Sequence, residues 1–497
     1  MDVDELKKDV REGRVDAERL VELIASLLRQ LHAAKQRIED LEKKLDGVPT
    51  QKFDEPFSVD AEERRQEKRK KKRRKRKRSS RRGRITTAEK VAQAARTEKV
   101  FPEGIPQDYC KHSHTRPVWR LENGQAILVA YEVYRGPGNR YGLIPGVLGR
   151  SEFGIEIVIA IAYQVFVVGL SFDKVCLLMN FFQNLNLRKS QADALLNQLA
   201  RHWEGEFDHL CTLLANSAIV HADETSWSIN SVWAFLSEKV RLLFFGVHKD
   251  AATLEQILDP VAFGGIVISD DAAVYSNFTH TQKCWAHLLR KAIKLTLLEP
   301  DNEEYRQFTD RLLEIYRAAC RVQRDRRFGD AGRAAKVALL DDEILELCGP
   351  MWSEELPPLQ GPDNDYRLLV NELMRLMLGR ELFTFVTAAA AGMPNGEQLP
   401  VAGTNNEAER TIRSAAEARK TGRTNKTLHG AWRRTIIVSV LESLRPHLPS
   451  FNISSVIAEI LRWAKTGESC FAELVRRLQL PPLKNSPLDE VLPAPGG

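Results

Sequence analysis

A run of positive charge between Arg64 and Arg84 constrains this chain more than any other feature of its sequence. The run holds sixteen lysines and arginines against one acid, Glu67, and so carries a net charge of +15. The whole chain of 497 residues carries only +6, which leaves the other 476 residues with −9. Like charges repel and nothing apolar is available to bury, so we expect this basic run to stay outside any folded core.

Three uses are open to such a run: a flexible arm for a polyanion, a solubilising linker, or a localisation signal in a nucleated cell. Neutralising phosphates with release of counterions is the usual use of dense basic tracts, so we favour contact with nucleic acid. The residues expected to contact DNA there are Lys70, Lys71, Lys72, Arg73 and Arg74.

Apolar residues before the basic run recur on a heptad. Isoleucine alternates with leucine along the seam, which favours a parallel two-stranded coiled coil. The alternative is one amphipathic helix docked on the body, but flanking charges leave only a narrow apolar stripe. We therefore predict self-association through residues 1–47 into a homodimer or larger assembly. The seam residues are Leu20, Ile24, Leu27, Leu31, Ala34, Ile38, Leu41 and Leu45.

The rest of the chain has the composition of a globular, intracellular protein. An apolar share of 43% is enough to bury a core, and 497 residues favour two to four structural units. Seven cysteines are spread singly, which fits a reducing compartment. The strongest apolar run, residues 154–170, carries Glu156 and Gln164 and is about one turn short of a membrane span. We predict a cytoplasmic protein with a buried helix there and no membrane partner.

Changes in composition and predicted secondary structure divide residues 48–215 into three segments. Residues 48–100 comprise the basic arm and a linker, with a short helix expected at 85–100. Residues 101–152 are rich in Pro and Gly with a few strand-like pieces, and we interpret them as a linker or a degenerate zinc module. The latter segment holds Cys110, His112 and His114, but no partner cluster follows at zinc-finger spacing, so a structural zinc is not expected. Residues 153–215 are helical. Two short helices around a break at 184–186 suggest a helix-turn-helix DNA-binding region, although any small helical bundle has a similar pattern.

The pattern changes to strands after residue 216. Residues 219–224, 231–238 and 240–247 predict three consecutive strands, and a helix then precedes a fourth strand at 264–270. This order is expected of a ribonuclease-H-like mixed α/β core, so the predicted fold class is multidomain α and α/β. We place the first part of the core at 216–298, a mostly helical insertion at 299–402, and the C-terminal core helices at 403–470. A Pro-rich tail at 471–497 is expected to be unstructured after Leu480.

Three acids are candidates for metal chemistry. Asp223 lies near the end of the first predicted strand and Asp270 at the end of the fourth, so they can meet at one edge if those strands are neighbours. Glu409 would complete the set from a helix on which Arg413 and Lys420 share its face. Hard divalent cations prefer oxygen ligands, and two such ions stabilise attacking and leaving oxygens in phosphodiester chemistry.

Neighbouring acids compete for these roles. Glu224, Asp271 and Glu407 each lie within two residues of a candidate. The residue next to a strand acid points to the opposite face, which favours the first choices. The residue pattern alone leaves a second interpretation open, because acids at strand ends are often solvated or cap a helix.

Three ordered motifs resemble the transposases of the insertion sequence 66 family. They are His-Ala-Asp-Glu-Thr at 221–225, Cys-Trp-Ala-His at 284–287 followed by Arg290-Lys291, and Asn405-Asn406-Glu-Ala-Glu409-Arg410 followed by Arg413 and Arg419-Lys420. In that family a Tyr follows the second Asp by five residues. Tyr275 therefore selects Asp270 over Asp271, and the acid directly before Arg410 selects Glu409 over Glu407.

The resemblance implies a DNA transposase that binds the ends of a mobile element and the target DNA as a dimer. Asp223, Asp270 and Glu409 would hold two Mg²⁺ or Mn²⁺ ions, cut a strand and transfer it, in the bacterial cytoplasm in association with the nucleoid. Accessory transposition proteins are candidate partners. The family's order of coiled coil, linker and helical DNA-binding region also fits. The implied DNA contacts are His221, Arg410, Arg413, Arg419 and Lys420, of which His221 could equally hydrogen-bond within the core.

The sequence departs from the family pattern in two places, and two other functions remain open. Only Cys110, His112 and His114 stand where many members carry a Cys-rich zinc module, and Asp271-Ala272 replaces a Gly-Tyr pair. One alternative is a ribonuclease-H-like nuclease that only hydrolyses DNA. The other is a transposase-derived DNA-binding scaffold that no longer cuts.

Overall fold

The computed structural model describes residue 64 and residues 85–352, 360–388, 390–392, 398–483 and 485–492. The predicted coiled coil at 1–47 and the basic run, except Arg64, lie outside the described residues. The elements below all belong to one unit, Gln66–Gly497. They form a mixed α/β structure, and none of the helices described is long and apolar enough to span a membrane.

A three-stranded sheet forms the first part of this unit. It follows a short helix, α1 (Thr87–Ala92), and contains β1 (Arg96–Val100), β2 (Lys111–Glu122) and β3 (Gln125–Arg135) in the order β1-β3-β2. Strand β1 is parallel to β3, and β2 is antiparallel to it. Asn123 and Gly124 join β2 to β3 with φ angles of 49° and 77°, the left-handed conformation that a tight hairpin requires.

Helix α1 agrees with the short helix predicted within 85–100, whereas β1 and the rest of this sheet correct the prediction of a linker in the remainder of that segment and of a linker or degenerate zinc module at 101–152. Val118, Val129, Tyr131, Val133 and Ile144 form a small core of its own. The Asn-Gly pair between alternating apolar residues was the sequence signal for the hairpin.

A helical region follows the first sheet, as predicted. Its elements are α2 (Ile155–Ala162), a π-helical turn (Tyr163–Val167), α3 (Phe172–Gln183), α4 (Lys189–His202) and α5 (Glu204–Ala215). All eight residues of α2 are buried, which confirms the first half of the buried helix predicted at 154–170, whereas Tyr163 and Val168 in the second half are exposed. Glu156 is buried with them because Arg120 of β2 pairs with it at 2.8 Å. Helix α3 ends where Asn184 adopts a left-handed φ of 54°, at the predicted break.

The central sheet has five strands. They are β4 (Ile219–Ser226), β5 (Ser231–Leu236), β6 (Arg241–Val247), β7 (Ile266–Ser269) and β8 (Thr281–Lys283), with α6 (Ala251–Ile257) between β6 and β7. The order is β6-β5-β4-β7-β8. Strands β4, β5 and β6 are mutually antiparallel, whereas β7 is parallel to β4 and β8 is parallel to β7. The four predicted strands and the crossover helix are confirmed, and β8 was missed.

Helices occupy most of the segment after β8. They are α7 (Trp285–Leu298), α8 (Glu303–Arg324), α9 (Asp330–Cys348), α10 (Gly361–Leu378) and the short α11 (Thr384–Thr387), followed by an antiparallel pair, β9 (Ala390–Gly392) and β10 (Gln398–Pro400). Helices α7 and α8 are antiparallel. Thr309 donates to the carbonyl of Ala292 in mid-helix, and the Tyr316 ring near the end of α8 stacks on Trp285 at the start of α7.

The C-terminal part contains α12 (Asn406–Lys420), α13 (Leu428–Leu444), α14 (Ile453–Thr466), α15 (Cys470–Arg477) and α16 (Pro487–Val491). The prediction of an unstructured tail after Leu480 was wrong for α16. Pro487 occupies the first turn of this helix, and Leu488 and Leu492, four residues apart, bury one face in the main core. Single 3-10 turns lie at Gln107–Tyr109, Pro137–Asn139, Ala273–Tyr275 and Arg445–His447.

Candidate active site

Strand pairing brings Asp223 and Asp270 together. Strands β4 and β7 are parallel, with His221 opposite Ile268. Continuing this register by two residues places Asp223 beside Asp270, which directly follows the last residue of β7. Residues in register on parallel strands point to the same face of the sheet. Two acids that are 47 positions apart in the sequence therefore lie at one edge of the sheet.

The carboxyl group of Asp223 is crowded by negative charge. Burial, followed by the nearby carboxyls of Glu224, Asp270 and Glu409, raises its pKa from 3.8 to about 7. No ion pair in the described part of the chain includes Asp223 or Asp270. Within the described ranges, their oxygens accept hydrogen bonds only from backbone N–H groups, of Glu224 at 2.9 Å and of Ala272 at 3.1 Å.

Glu409 reaches the same region from the first turn of α12. Its Oε1 accepts a hydrogen bond from Arg290 Nη2 at 2.6 Å and lies 3.6 Å from His287 Nδ1. Both partners belong to α7, which begins immediately after β8. Glu409 also contributes to the raised pKa of Asp223, so the three acids from β4, β7 and α12 influence one another electrostatically.

Asn405 fixes α12 against the two neighbouring elements. Its side chain is fully buried, and its Nδ2 donates to the Ala222 carbonyl at 2.7 Å. Its Oδ1 lies 3.3 Å from His221 Nδ1, and its backbone N–H donates to Cys284 Sγ at 3.1 Å. One asparagine therefore joins the strand that carries Asp223, the residue that precedes α7, and the helix that carries Glu409.

A compact set of metal-ligating atoms lies beside these acids. Among the described residues, Cys284, His287 and Glu409 form the group of three whose ligand atoms all lie within 4.8 Å of one another. Asp223, Asp270 and Glu409 do not meet that distance condition, and neither do Cys110, His112 and His114. Burial raises the pKa of the Cys284 thiol, which therefore favours the neutral form and is a poor ligand for a hard cation.

The competing acids each have a different partner. Lys249 Nζ pairs with Glu224 at 2.8 Å, and the Tyr275 hydroxyl donates to the same carboxylate at 2.5 Å. Asp271 pairs with Arg375, and Glu407 pairs with Arg241 at 2.8 Å. Each of the three neighbours therefore has its charge compensated, in contrast to Asp223 and Asp270.

The basic residues of α12 divide between two faces. Arg413 and Lys420 are exposed and recur with Glu409 at helical spacing. Arg410 instead lines a separate cavity with Glu407 and Arg241. Arg419 Nη1 donates to the Ser226 carbonyl at 3.0 Å, at the end of β4. The structure therefore places Arg413 and Lys420, but not Arg410, on the face of Glu409.

Other residues of the site were not singled out from the sequence. Asn405, His287 and Arg290 all lie in the quoted motifs, so the available signal was their motif position. Trp227 and Trp285, which also lie in or near these motifs, are core residues, at 6% and 0% exposure.

Comparison with known families gives the class of protein. A family model described as Transposase IS66 family matches residues 150–433. The match covers more than half of the chain and includes all three candidate acids, so this chain belongs to the IS66 family of transposases. The resemblance inferred from the motifs is confirmed. A search of curated proteins found no match.

Proposed function

We propose that this IS66 family transposase cuts and joins DNA strands at a site formed by Asp223, Asp270 and Glu409. The observation that carries the proposal is the parallel pairing of β4 with β7, which brings Asp223 beside Asp270. The absence of ion pairs to these two acids in the described residues supports it. Acids that serve only the fold are normally paired or exposed.

We further propose that the central sheet is the core of a ribonuclease-H-like domain. Three consecutive antiparallel strands, a crossover helix and two parallel strands, in the order β6-β5-β4-β7-β8, support this assignment. In such a sheet the acids at the carboxyl ends of β4 and β7 come from neighbouring strands, and the third acid comes from a later helix. Helix α12 supplies that third acid here.

The donor set fits two Mg²⁺ or Mn²⁺ ions. The three candidates offer carboxylate oxygens, which hard cations prefer. Burial, followed by repulsion from the neighbouring carboxyls, raises the pKa of Asp223, and a bound cation would relieve that repulsion. When bound, such ions activate a water or a 3′-hydroxyl and stabilise the charge of the phosphate under attack. The neutral Cys284 thiol is not expected to serve as a ligand.

The protein's own side chains would position the DNA and the acids. Arg413 and Lys420, exposed on the face of Glu409, would contact the phosphate backbone. Asn405 would hold α12 at β4, and Arg290 would compensate Glu409 before a metal binds. His221 is engaged by Asn405, so its role would be to hydrogen-bond within the site. No serine or tyrosine nucleophile is needed.

Binding of element ends and of target DNA would also use parts of the chain outside the described residues. We propose that residues 1–47 mediate dimerisation and that Lys70, Lys71, Lys72, Arg73 and Arg74 contact phosphates. Helices α3 and α4 remain the proposed helix-turn-helix-like region.

The proposal is tested with Asp223→Asn, Asp270→Asn and Glu409→Gln, each assayed for cleavage and strand transfer of element ends with Mg²⁺ or Mn²⁺. Each amide keeps the shape and removes a charge, so we expect cleavage to fall by at least about 10²-fold, with end binding retained. The matched controls are Glu224→Gln, Asp271→Asn and Glu407→Gln, which should keep substantial activity.

Three outcomes separate the alternatives. Cleavage without strand joining by the parent protein would favour a nuclease, and absence of both would favour a DNA-binding scaffold. If a control acid proves essential while the neighbouring candidate is dispensable, the control acid is the metal ligand and our choice between the two is wrong.

A further inference from the structure

The segment that joins α8 to α9 carries a second concentration of positive charge. From Arg317 to Lys336 the chain holds seven arginines and lysines against two aspartates, a net charge of +5. The chain outside the basic run is otherwise acidic, so this local excess is unusual. Arg327 pairs with Asp325. The cations of the segment that form no ion pair with any described residue are Arg317, Arg321, Arg324, Arg326, Arg333 and Lys336.

These cations gather at one end of a helical hairpin. Arg317, Arg321 and Arg324 are spaced by four and three residues, so they share one face of α8. Helices α8 and α9 are antiparallel, and the Arg311–Glu343 ion pair at 3.2 Å fixes their register. Continuing that register towards the turn brings the Arg333 end of α9 beside the Arg321 end of α8.

The positive charges at this end of the hairpin repel one another, and the negative end of the helix dipole favours Arg321 and Arg324 in the last turn of α8. Like charges at helical spacing repel and destabilise a helix. Five of the six cations are exposed, and the buried Nε of Arg333 has no hydrogen-bond partner among the described residues. The other four cations are outside that last turn and form no ion pair with a described residue, whereas Arg311 pairs with Glu314 and Glu343. This end of the hairpin instead has the properties of a binding surface for an anion.

The same end of the hairpin lies at the edge of the sheet that carries the candidate acids. The Tyr316 ring stacks on Trp285, 5.1 Å between ring centroids, at the first residue of α7. The backbone N–H of Cys284, one residue earlier, donates to the Ser269 carbonyl, next to Asp270. Gln323 Nε2 donates to the Val401 carbonyl, a few residues before α12.

We propose that the α8–α9 turn, residues 317–336, binds the phosphate backbone of double-stranded DNA held at the active site. The proposal rests on the proposed function only for the choice of DNA as the polyanion. Guanidinium groups suit phosphate oxygens, and six of the seven cations are arginines. The segment has one aromatic residue, Phe328, partly buried beside Lys336. Single-strand binding would need exposed aromatic rings for base stacking, so the duplex backbone is the better match.

The test uses the full chain with Arg317→Gln, Arg321→Gln and Arg324→Gln combined. Binding to a short fluorescent duplex of arbitrary sequence is measured by anisotropy across a salt series without Mg²⁺ or Mn²⁺. We expect affinity at about 0.1 M salt to fall roughly tenfold or more. The slope of log affinity against log salt should become shallower by about 0.9 for each phosphate that the variant no longer neutralises.

Two further variants make the result specific. The combined control Lys99→Gln, Lys465→Gln and Arg477→Gln removes the same charge from exposed positions on β1, α14 and α15, and should bind like the parent. The combined Arg317→Lys, Arg321→Lys and Arg324→Lys variant keeps the charge and should retain most of the salt slope. A hairpin variant with the affinity and slope of the control would overturn the proposal. Because binding is measured without cleavage, failure of the metal-triad assay would leave this result unaffected, and the reverse also holds.

Discussion

Two parts of the central sheet differ in whether their buried polar groups have hydrogen-bond or ion-pair partners: the outer edge formed by β6, and the site of Asp223 and Asp270. At the outer edge, the free backbone N–H groups of β6 are covered by hydroxyls from α13. Ser443, Ser439 and Thr435 accept hydrogen bonds from Arg241, Leu243 and Phe245, each at 2.9 Å. The spacing of four residues on the helix matches two residues on the strand, so this edge cannot pair with another strand.

Just beyond the point where the pairing of β4 with β7 ends, the acidic groups lack such partners among the described residues. Asp223 and Asp270 lie side by side and form no ion pair with a described residue, and burial together with the neighbouring carboxyls raises the pKa of Asp223 to about 7. The β6 edge is therefore arranged for stability, whereas the site of Asp223 and Asp270 is not. Repulsion between partly buried acids is typical of functional sites, because stability alone would favour paired or apolar residues.

The largest stability effect is expected at the covered edge. Ser439→Ala removes the acceptor for the Leu243 N–H and leaves a buried donor without a partner, which should lower the free energy of unfolding by about 1–3 kcal/mol. Denaturant unfolding measures the change. Ser414→Ala, at an exposed helical position, is the matched control and should change stability little. Equal losses in the two variants would contradict the role assigned to the hydroxyls of α13.

At Asp223 and Asp270 the expected change in stability has the opposite sign: removing a negative charge should raise the free energy of unfolding. Because the pKa of Asp223 in the folded chain is raised to about 7, folding is opposed as this group ionises from about pH 4 upward, and the full effect is present above pH 7. Asp223→Asn should therefore stabilise the metal-free protein at about pH 8, by an amount on the order of 1 kcal/mol. The gain should vanish below about pH 4, where the carboxyl is neutral in both states.

Addition of Mg²⁺ sharpens this prediction. A ligand that binds only the folded state raises stability, so Mg²⁺ should stabilise the parent and not the Asp223→Asn variant. Thermal unfolding with and without Mg²⁺, in a chelator-treated sample, makes the comparison. A variant less stable than the parent at alkaline pH without metal would show that Asp223 serves the fold.

Much of the central sheet was predictable, because long apolar runs with strand periodicity determine β4, β5, β6 and β7. Strand β8 was not, since Thr281, Gln282 and Lys283 are polar and become buried only by tertiary contacts. Gln282 hydrogen-bonds to the Leu382 carbonyl and the Phe385 N–H, about 100 residues away. The first sheet was only partly predicted, for a different reason: strand-like pieces were recognised after residue 101, but the Pro- and Gly-rich flanks obscured the alternation of the hairpin.

The candidate site was predictable as a set of motifs but not as a geometry. The positions of Asp223, Asp270 and Glu409 in the sequence indicated them as candidates, and the family resemblance favoured them over the neighbouring acids. The buried position of Asn405 and the hydrogen bond from Arg290 to Glu409 depend on contacts between elements more than 100 residues apart. Helical spacing already separated Arg413 from Arg410, but the position of Arg410 beside Glu407 and Arg241 depends on how α12 packs.

The smallest effect is expected at Glu407, two residues from Glu409 on the same helix. Its carboxylate pairs with Arg241 at 2.8 Å, but its side chain is 48% exposed. Exposed ion pairs contribute between about 0 and 1 kcal/mol, since water screens them and two long side chains must be ordered. Glu407→Gln should therefore change unfolding free energy by less than about 1 kcal/mol and leave cleavage close to the parent value. The loss, if measurable, should shrink at high salt, whereas that of Ser439→Ala should not. A large loss of cleavage with normal stability would place Glu407 in the metal site and assign α12 the opposite face.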